Sequence, residues 1–163
     1  MFEAYSERAR RIVFLARYEA GRLAFDNIEA EHFVLGFVLE DQGDSHAHFF
    51  KAITPGIPDQ GSWTRKTAEP AYGFLSPVTA SHLRAALSVK GTRLEPQSTY
   101  GDMPLSDKAR AALKAAYAHA DGKTVIPLHL LWGVLADDGN QSTKLLIEHG
   151  VTKERVDEAI RGL

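Results

Sequence analysis

The chain has no cysteine, which excludes disulfides, thiolate nucleophiles and thiolate metal ligands, and suits a reducing compartment. No stretch approaches the roughly 18 consecutive apolar residues that span a bilayer. The start, Met1-Phe2-Glu3-Ala4-Tyr5-Ser6-Glu7, has no apolar signal-peptide segment. An excess of one charge is lacking too. The formal net charge is −2, so no global attraction to nucleic acid or anionic membrane is expected. A nucleotide-binding loop is incomplete: Gly122-Lys123-Thr124 has its tail, but Tyr117 stands where the leading glycine belongs. The Asp-Gly-Lys-Thr string reads instead as an interhelical turn. No serine or threonine sits in a nucleophile elbow.

What remains is an ordinary globular composition, 44% apolar and 25% charged over 163 residues. A chain of that length forms one domain and buries about 70% of its unfolded surface without metal or disulfide. Its main feature is an internal duplication. Ser6-Glu7-Arg8-Ala9-Arg10 is echoed by Ser106-Asp107-Lys108-Ala109-Arg110. Downstream, His32-Phe33-Val34-Leu35-Gly36-Phe37-Val38 is echoed by His129-Leu130-Leu131-Trp132-Gly133-Val134-Leu135. Two copies are too few for a solenoid and predict one pseudo-symmetric domain.

Periodicity makes the fold class all-α. Ala9, Ile12, Val13, Ala16, Ala20 and Leu23 recur at helical steps behind Ser6 as N-cap. A second helix, about Glu29 to Leu39, is apolar on most sides and therefore central. A short third runs to about Ala52, and Ser76-Pro77 starts another through about Val89. In the second unit Ser106 caps a helix carrying Ala109, Ala112, Leu113, Ala116 and Ala120. Pro127 opens the next helix, Ser142 to His149 forms one stopped by Gly150, and Thr152 begins the last. Thr54 to Phe74, rich in proline and glycine with Trp63, Tyr72 and Phe74 among them, reads as an irregular insertion.

Several residues invite chemistry and have simpler structural roles. His32 and His129 read as partly buried histidines that tie down a neighbouring loop by hydrogen bonding. Gly36 and Gly133, mid-helix, imply close helix crossings, because glycine there costs up to about 1 kcal/mol against alanine. His46-Ala47-His48 beside Asp44 has the wrong spacing for one metal ion on a helix face. Glu40-Asp41 and Asp137-Asp138 read as solvated turn residues, not a catalytic pair. The arginines of helix one (Arg8, Arg10, Arg11, Arg17, Arg22) are interrupted by Glu3, Glu7 and Glu19, which favours a solvated face or protein-docking patch over nucleic acid.

The chain resembles the amino-terminal domain of Clp unfoldases, the double Clp repeat of ClpA- and ClpC-type proteins. The residues that carry the likeness are the aromatic start with its Ser-x-x-Ala-Arg helix, Met1 to Arg10, and the segment Ile28-Glu29-Ala30-Glu31-His32-Phe33-Val34-Leu35-Gly36. The second copy, Val125 to Gly133, keeps the histidine and glycine, and Asp102-Met103-Pro104-Leu105-Ser106 is similar to the family's lead-in to its second repeat. The likeness implies two pseudo-two-fold-related four-helix repeats in a single domain over 1–163. Repeat one would cover about 1–90 with an insertion at 54–75, the link 91–104, and repeat two about 105–163.

It further implies a noncatalytic recognition role, with no cofactor and no metal. Expected partners are a Clp ATPase or peptidase, unfolded or tagged polypeptides, or both, with no nucleic acid and no membrane. No ATPase module accompanies the repeats here, so a stand-alone, monomeric, cytoplasmic adaptor or regulator is expected. The candidate protein-binding residues are Phe2, Tyr5, Arg8, Glu31, Trp63, Tyr72 and Phe74. In some ClpC-type domains a glutamate before the histidine of each repeat helps bind phosphorylated arginine. Glu31 matches the first such position but Leu128 occupies the second, and leucine cannot pair with a guanidinium. The competing classes are an enzyme of unrecognised mechanism and a small nucleic-acid binder.

Overall fold

A computed structural model describes residues 2–43, 73–96 and 102–163. Helices begin where short polar side chains can take up the otherwise unpaired first-turn amides. Ser6 Oγ accepts from the Ala9 amide and Ser106 Oγ from the Ala109 amide, both at 3.1 Å. Ser76, Asn140 and Thr152 cap three further helices in the same way. Each such cap contributes about 1 kcal/mol. The helices are α1 (Glu7–Arg22), α2 (Ala30–Asp41), α3 (Pro77–Leu87), α4 (Asp107–Ala120), α5 (Pro127–Leu135), α6 (Gln141–Glu148) and α7 (Lys153–Arg161). Boundaries differ from the sequence reading by one to two residues, with Glu29 as the cap of α2 and not its first turn. The expected helix ending near Ala52 and most of the insertion lie outside the described residues.

The duplication is visible in the packing. Helix α1 packs on α2 and α4 on α5, while α2 and α5 meet at the centre. All of α2 except Glu31 is buried, as its continuous apolar character requires. Gly36 and Gly133 mark the two crossings. A Cβ on Gly36 would stand 2.7 Å from the Ile12 carbonyl oxygen, and one on Gly133 would overlap the Ala112 carbonyl oxygen. Glycine is there because backbone meets backbone.

The repeats also interlock through their loops. The Ser6 amide donates to the Val125 carbonyl (2.9 Å) and the Val125 amide to the Ala4 carbonyl (2.8 Å). The other copy repeats this: Ser106 donates to Ile28 (3.0 Å) and Ile28 to Pro104 (2.9 Å). Each repeat's lead-in thus pairs, strand-like, with the other repeat's interhelical loop. These bonds hold Tyr5 and Leu105, the residues just before the two serine caps, at matching places about the pseudo-two-fold.

Glu40 and Asp41 correct the sequence reading. They are not solvated turn residues: they are 3% and 1% exposed. Helix α2 runs on to Asp41, and its last turn is covered from both sides. Arg11 grips Glu40 with two hydrogen bonds, 3.2 and 3.1 Å, and Arg8 Nε lies 3.4 Å from the same carboxylate. Asp41 accepts from the Phe74 and Leu75 amides at 2.7 and 2.8 Å. It thereby anchors the chain where it returns to α3. Asp138, by contrast, is exposed, and Asp137 accepts from the Gly139 amide in a turn, as expected.

The two equivalent histidines behave as loop ties. His32 Nδ1 accepts the Glu29 amide at 2.8 Å and His129 Nδ1 accepts the Ile126 amide at 3.0 Å. An acceptor nitrogen must be unprotonated, so both rings are neutral in the folded state. Burial pushes the His32 pKa down to about 4 and lowers that of His129, where His119 and Lys123 add to the effect. The folded pKa of His32 lies below its ordinary 6.5, so the unfolded chain binds the proton first. Its contribution is present above pH 6.5 and lost as pH falls toward 4, on the order of 3 kcal/mol across that window. The expected result is a His32 ring that titrates near pH 4 by NMR. Urea stability should also fall more steeply with acid in the wild type than in His32→Asn. A ring titrating near 6.5 contradicts the assignment.

Candidate functional site

A groove of about 630 Å³ opens where the lead-in of repeat one meets helix α4 of repeat two. Its apolar lining is Ala4, Tyr5, Leu105 and Leu113, continued by Tyr117. Glu3, Arg110 and Lys114 supply its charges. Because it contains both Tyr5 and Leu105, the groove straddles the pseudo-two-fold. It exists only through the interlocked loops. Leu113 and Tyr5 are buried as its floor (6% and 4% exposed), whereas Tyr117 is 56% exposed on its edge. Arg110, Leu113, Lys114 and Tyr117 share one face of α4 through their three- and four-residue spacing.

The structure brings two of the sequence candidates together here. Phe2 packs edge-on to Tyr5, ring centroids 5.1 Å apart, and Tyr5 lines the groove. Burial raises the pKa of the Tyr5 hydroxyl, so it stays a neutral donor at physiological pH.

Other candidates lie elsewhere. Arg8 is turned to Glu40 and does not line the groove. Phe74 lies edge-on to the core ring of Phe37 (6.1 Å), beneath the Arg155 guanidinium (4.9 Å), which also donates to the Phe74 carbonyl. Its contacts are those of a plug that closes the end of α2. Glu31 is half-buried in a separate cavity of about 270 Å³ lined with Phe25, Ala86, Leu87, Val89, Gln141 and Ser142. Burial raises its pKa; a backbone hydrogen bond opposes this, Glu29 adds to it and Lys108 counters it. Its counterpart Leu128 is fully buried, so that position offers a ligand neither a charge nor an accessible surface. Trp63 and Tyr72 lie outside the described residues, as do His46 and His48.

The sequence reading missed Leu105, Leu113, Tyr117, Arg110 and Lys114 as a site. The available signal was Tyr117, a large aromatic among alanines on the otherwise polar side of α4.

No family model matches the chain. Over 43 residues it is 46% identical to the negative regulator of genetic competence ClpC/MecB of Bacillus subtilis (strain 168). That stretch is 26% of this chain and 5% of the curated relative. The architecture matches far more widely. The amino-terminal domain of the caseinolytic protease-associated chaperone ClpD from Arabidopsis thaliana superposes with a TM-score of 0.57, covering 99% of this chain and 97% of that one at 18% identity. The chain has the Clp amino-terminal-domain fold. The Hsp104 amino-terminal domain of Candida albicans agrees, with a TM-score of 0.57 over 93% of this chain and 85% of that one at 15% identity. A chain from preliminary structural investigations of a malarial protein secretion system gives 0.62 over 96% and 92% at 17% identity. Among the described residues, no helix is long and apolar enough to cross a membrane.

Proposed function

We propose that this Clp-type domain is a noncatalytic recognition module. Its inter-repeat groove holds apolar segments of unfolded or tagged polypeptides, for a Clp ATPase or peptidase that the domain serves as adaptor or regulator. The observation that carries the reading is the groove: apolar walls from both repeats, with charges confined to Glu3, Arg110 and Lys114. Desolvating apolar side chains in such a groove supplies affinity, while charges at its edge set orientation. The match to Clp amino-terminal domains over nearly the whole chain supports the same direction.

Tyr117 is the residue to test, since it is exposed and its removal leaves the core intact. Tyrosine is among the residues enriched at docking hot spots, where truncation costs more than about 1 kcal/mol. In fluorescence anisotropy with a dye-labelled, permanently unfolded polypeptide, Tyr117→Ala is expected to weaken binding about tenfold with an unchanged melting temperature. Equal binding by wild type and Tyr117→Ala would remove the groove from the function.

A further inference from the structure

We infer that the groove selects apolar segments flanked by carboxylates over those flanked by lysine or arginine; this rests on reading the groove as a polypeptide site. Charge is unevenly placed in this chain. The protein as a whole is slightly acidic, at −2. Helix α4, which forms one wall of the groove, reverses that balance: Lys108, Arg110 and Lys114 stand against the single acid Asp107. Two of those cations, Arg110 and Lys114, line the groove with Leu113 and Tyr117 between and beyond them. Glu3 is the only acid in the lining among the described residues.

Both cations are available to a ligand. Lys114 is exposed. Arg110 is paired with Asp107 at 2.5 Å, but the two side chains are 59% and 96% exposed. A pair that open to water contributes little and exchanges partners readily. A guanidinium prefers a carboxylate it can grip with two parallel bonds, and the lysine adds a mobile point charge one turn along. A peptide that buries leucine or phenylalanine against Tyr5, Leu105 and Leu113 would therefore gain from an acid on the α4 side. A lysine placed there would meet like charge. The effect is one of selection more than of total affinity.

The test uses two dye-labelled peptides with the same apolar core, one flanked by aspartates and one by lysines. Two exposed charge pairs together imply a preference of about fivefold for the aspartate peptide at low salt. That preference should shrink as ionic strength rises from about 50 to about 300 mM. The double variant Arg110→Glu/Lys114→Glu, altered only at exposed positions, is expected to abolish or invert it. If both peptides bind equally, and Tyr117→Ala weakens both, charge selection is overturned while the polypeptide-binding reading stands. A preference that survives the double charge reversal overturns the assignment to these two cations. Absence of binding by either peptide, or binding indifferent to Tyr117→Ala, overturns both readings together.

Discussion

Gly133→Ala is expected to destabilise the domain by about 3 kcal/mol or more, although alanine gains up to about 1 kcal/mol over glycine in an isolated helix. The added methyl would overlap the Ala112 carbonyl oxygen and stand 3.0 Å from the Ala116 Cβ. Backbone cannot swing aside as a long side chain can, so α4 and α5 must separate. Overpacking of this kind costs about 1–3 kcal/mol even where side chains share the strain. A loss of that size lowers the melting temperature of a domain this long by roughly 10 °C. Gly36→Ala is expected to act in the same direction but less, because its nearest obstacle, the Ile12 carbonyl oxygen, is 2.7 Å away. Thermal and urea unfolding of both variants checks the size and the order. A Gly133→Ala protein as stable as wild type would contradict the crossing geometry.

Arg11→Met is the second large effect. Glu40 is 3% exposed, and its carboxylate accepts two hydrogen bonds from Arg11. Without them Arg8, at 3.4 Å, is left to pair with it. Stranding one member of a buried pair costs about 3–5 kcal/mol; with Arg8 remaining, about 3 kcal/mol is expected. The double variant Arg11→Met/Glu40→Leu should recover most of that loss, since the pair then leaves no charge to desolvate. A double-mutant cycle by urea denaturation gives the coupling. If the double variant is no more stable than Arg11→Met, the cost lies in packing instead of the stranded carboxylate.

The contrast between these two cases shows what the sequence makes legible. Gly36 and Gly133 could be read as close crossings from a single chain, because glycine inside a strongly periodic helix costs stability unless a neighbouring backbone needs the space. The serine caps, Pro127, Gly150 and the histidine ties were legible for a related reason: each is a local device within four residues of what it satisfies. Glu40 and Asp41 were misread because their partners are remote. Arg11 is 29 residues away from Glu40, and the Phe74 and Leu75 amides are 33 and 34 residues away from Asp41. An acidic pair followed by glycine has the local signature of a solvated turn, and only tertiary packing overrides it.

The groove divides along the same line. Phe2 and Tyr5 stood out as aromatics ahead of the first helix. Leu105, Leu113, Lys114 and Tyr117 join them only because each lead-in crosses to the other repeat, which brings together segments far apart in the chain. Arg8 has an ordinary docking-patch appearance in sequence, yet in the structure it faces Glu40. Phe74, one of several scattered aromatics in sequence, is held by Phe37 and Arg155.

If polypeptide binds where the two repeats interlock, a backbone-amide NMR titration of the domain with the aspartate-flanked apolar peptide shows it most directly. Saturable shifts are expected, concentrated at Ala4, Tyr5, Leu105, Arg110, Leu113, Lys114 and Tyr117. Shifts centred instead on the cavity around Glu31 and Val89, or no shifts at all, would contradict binding in the groove.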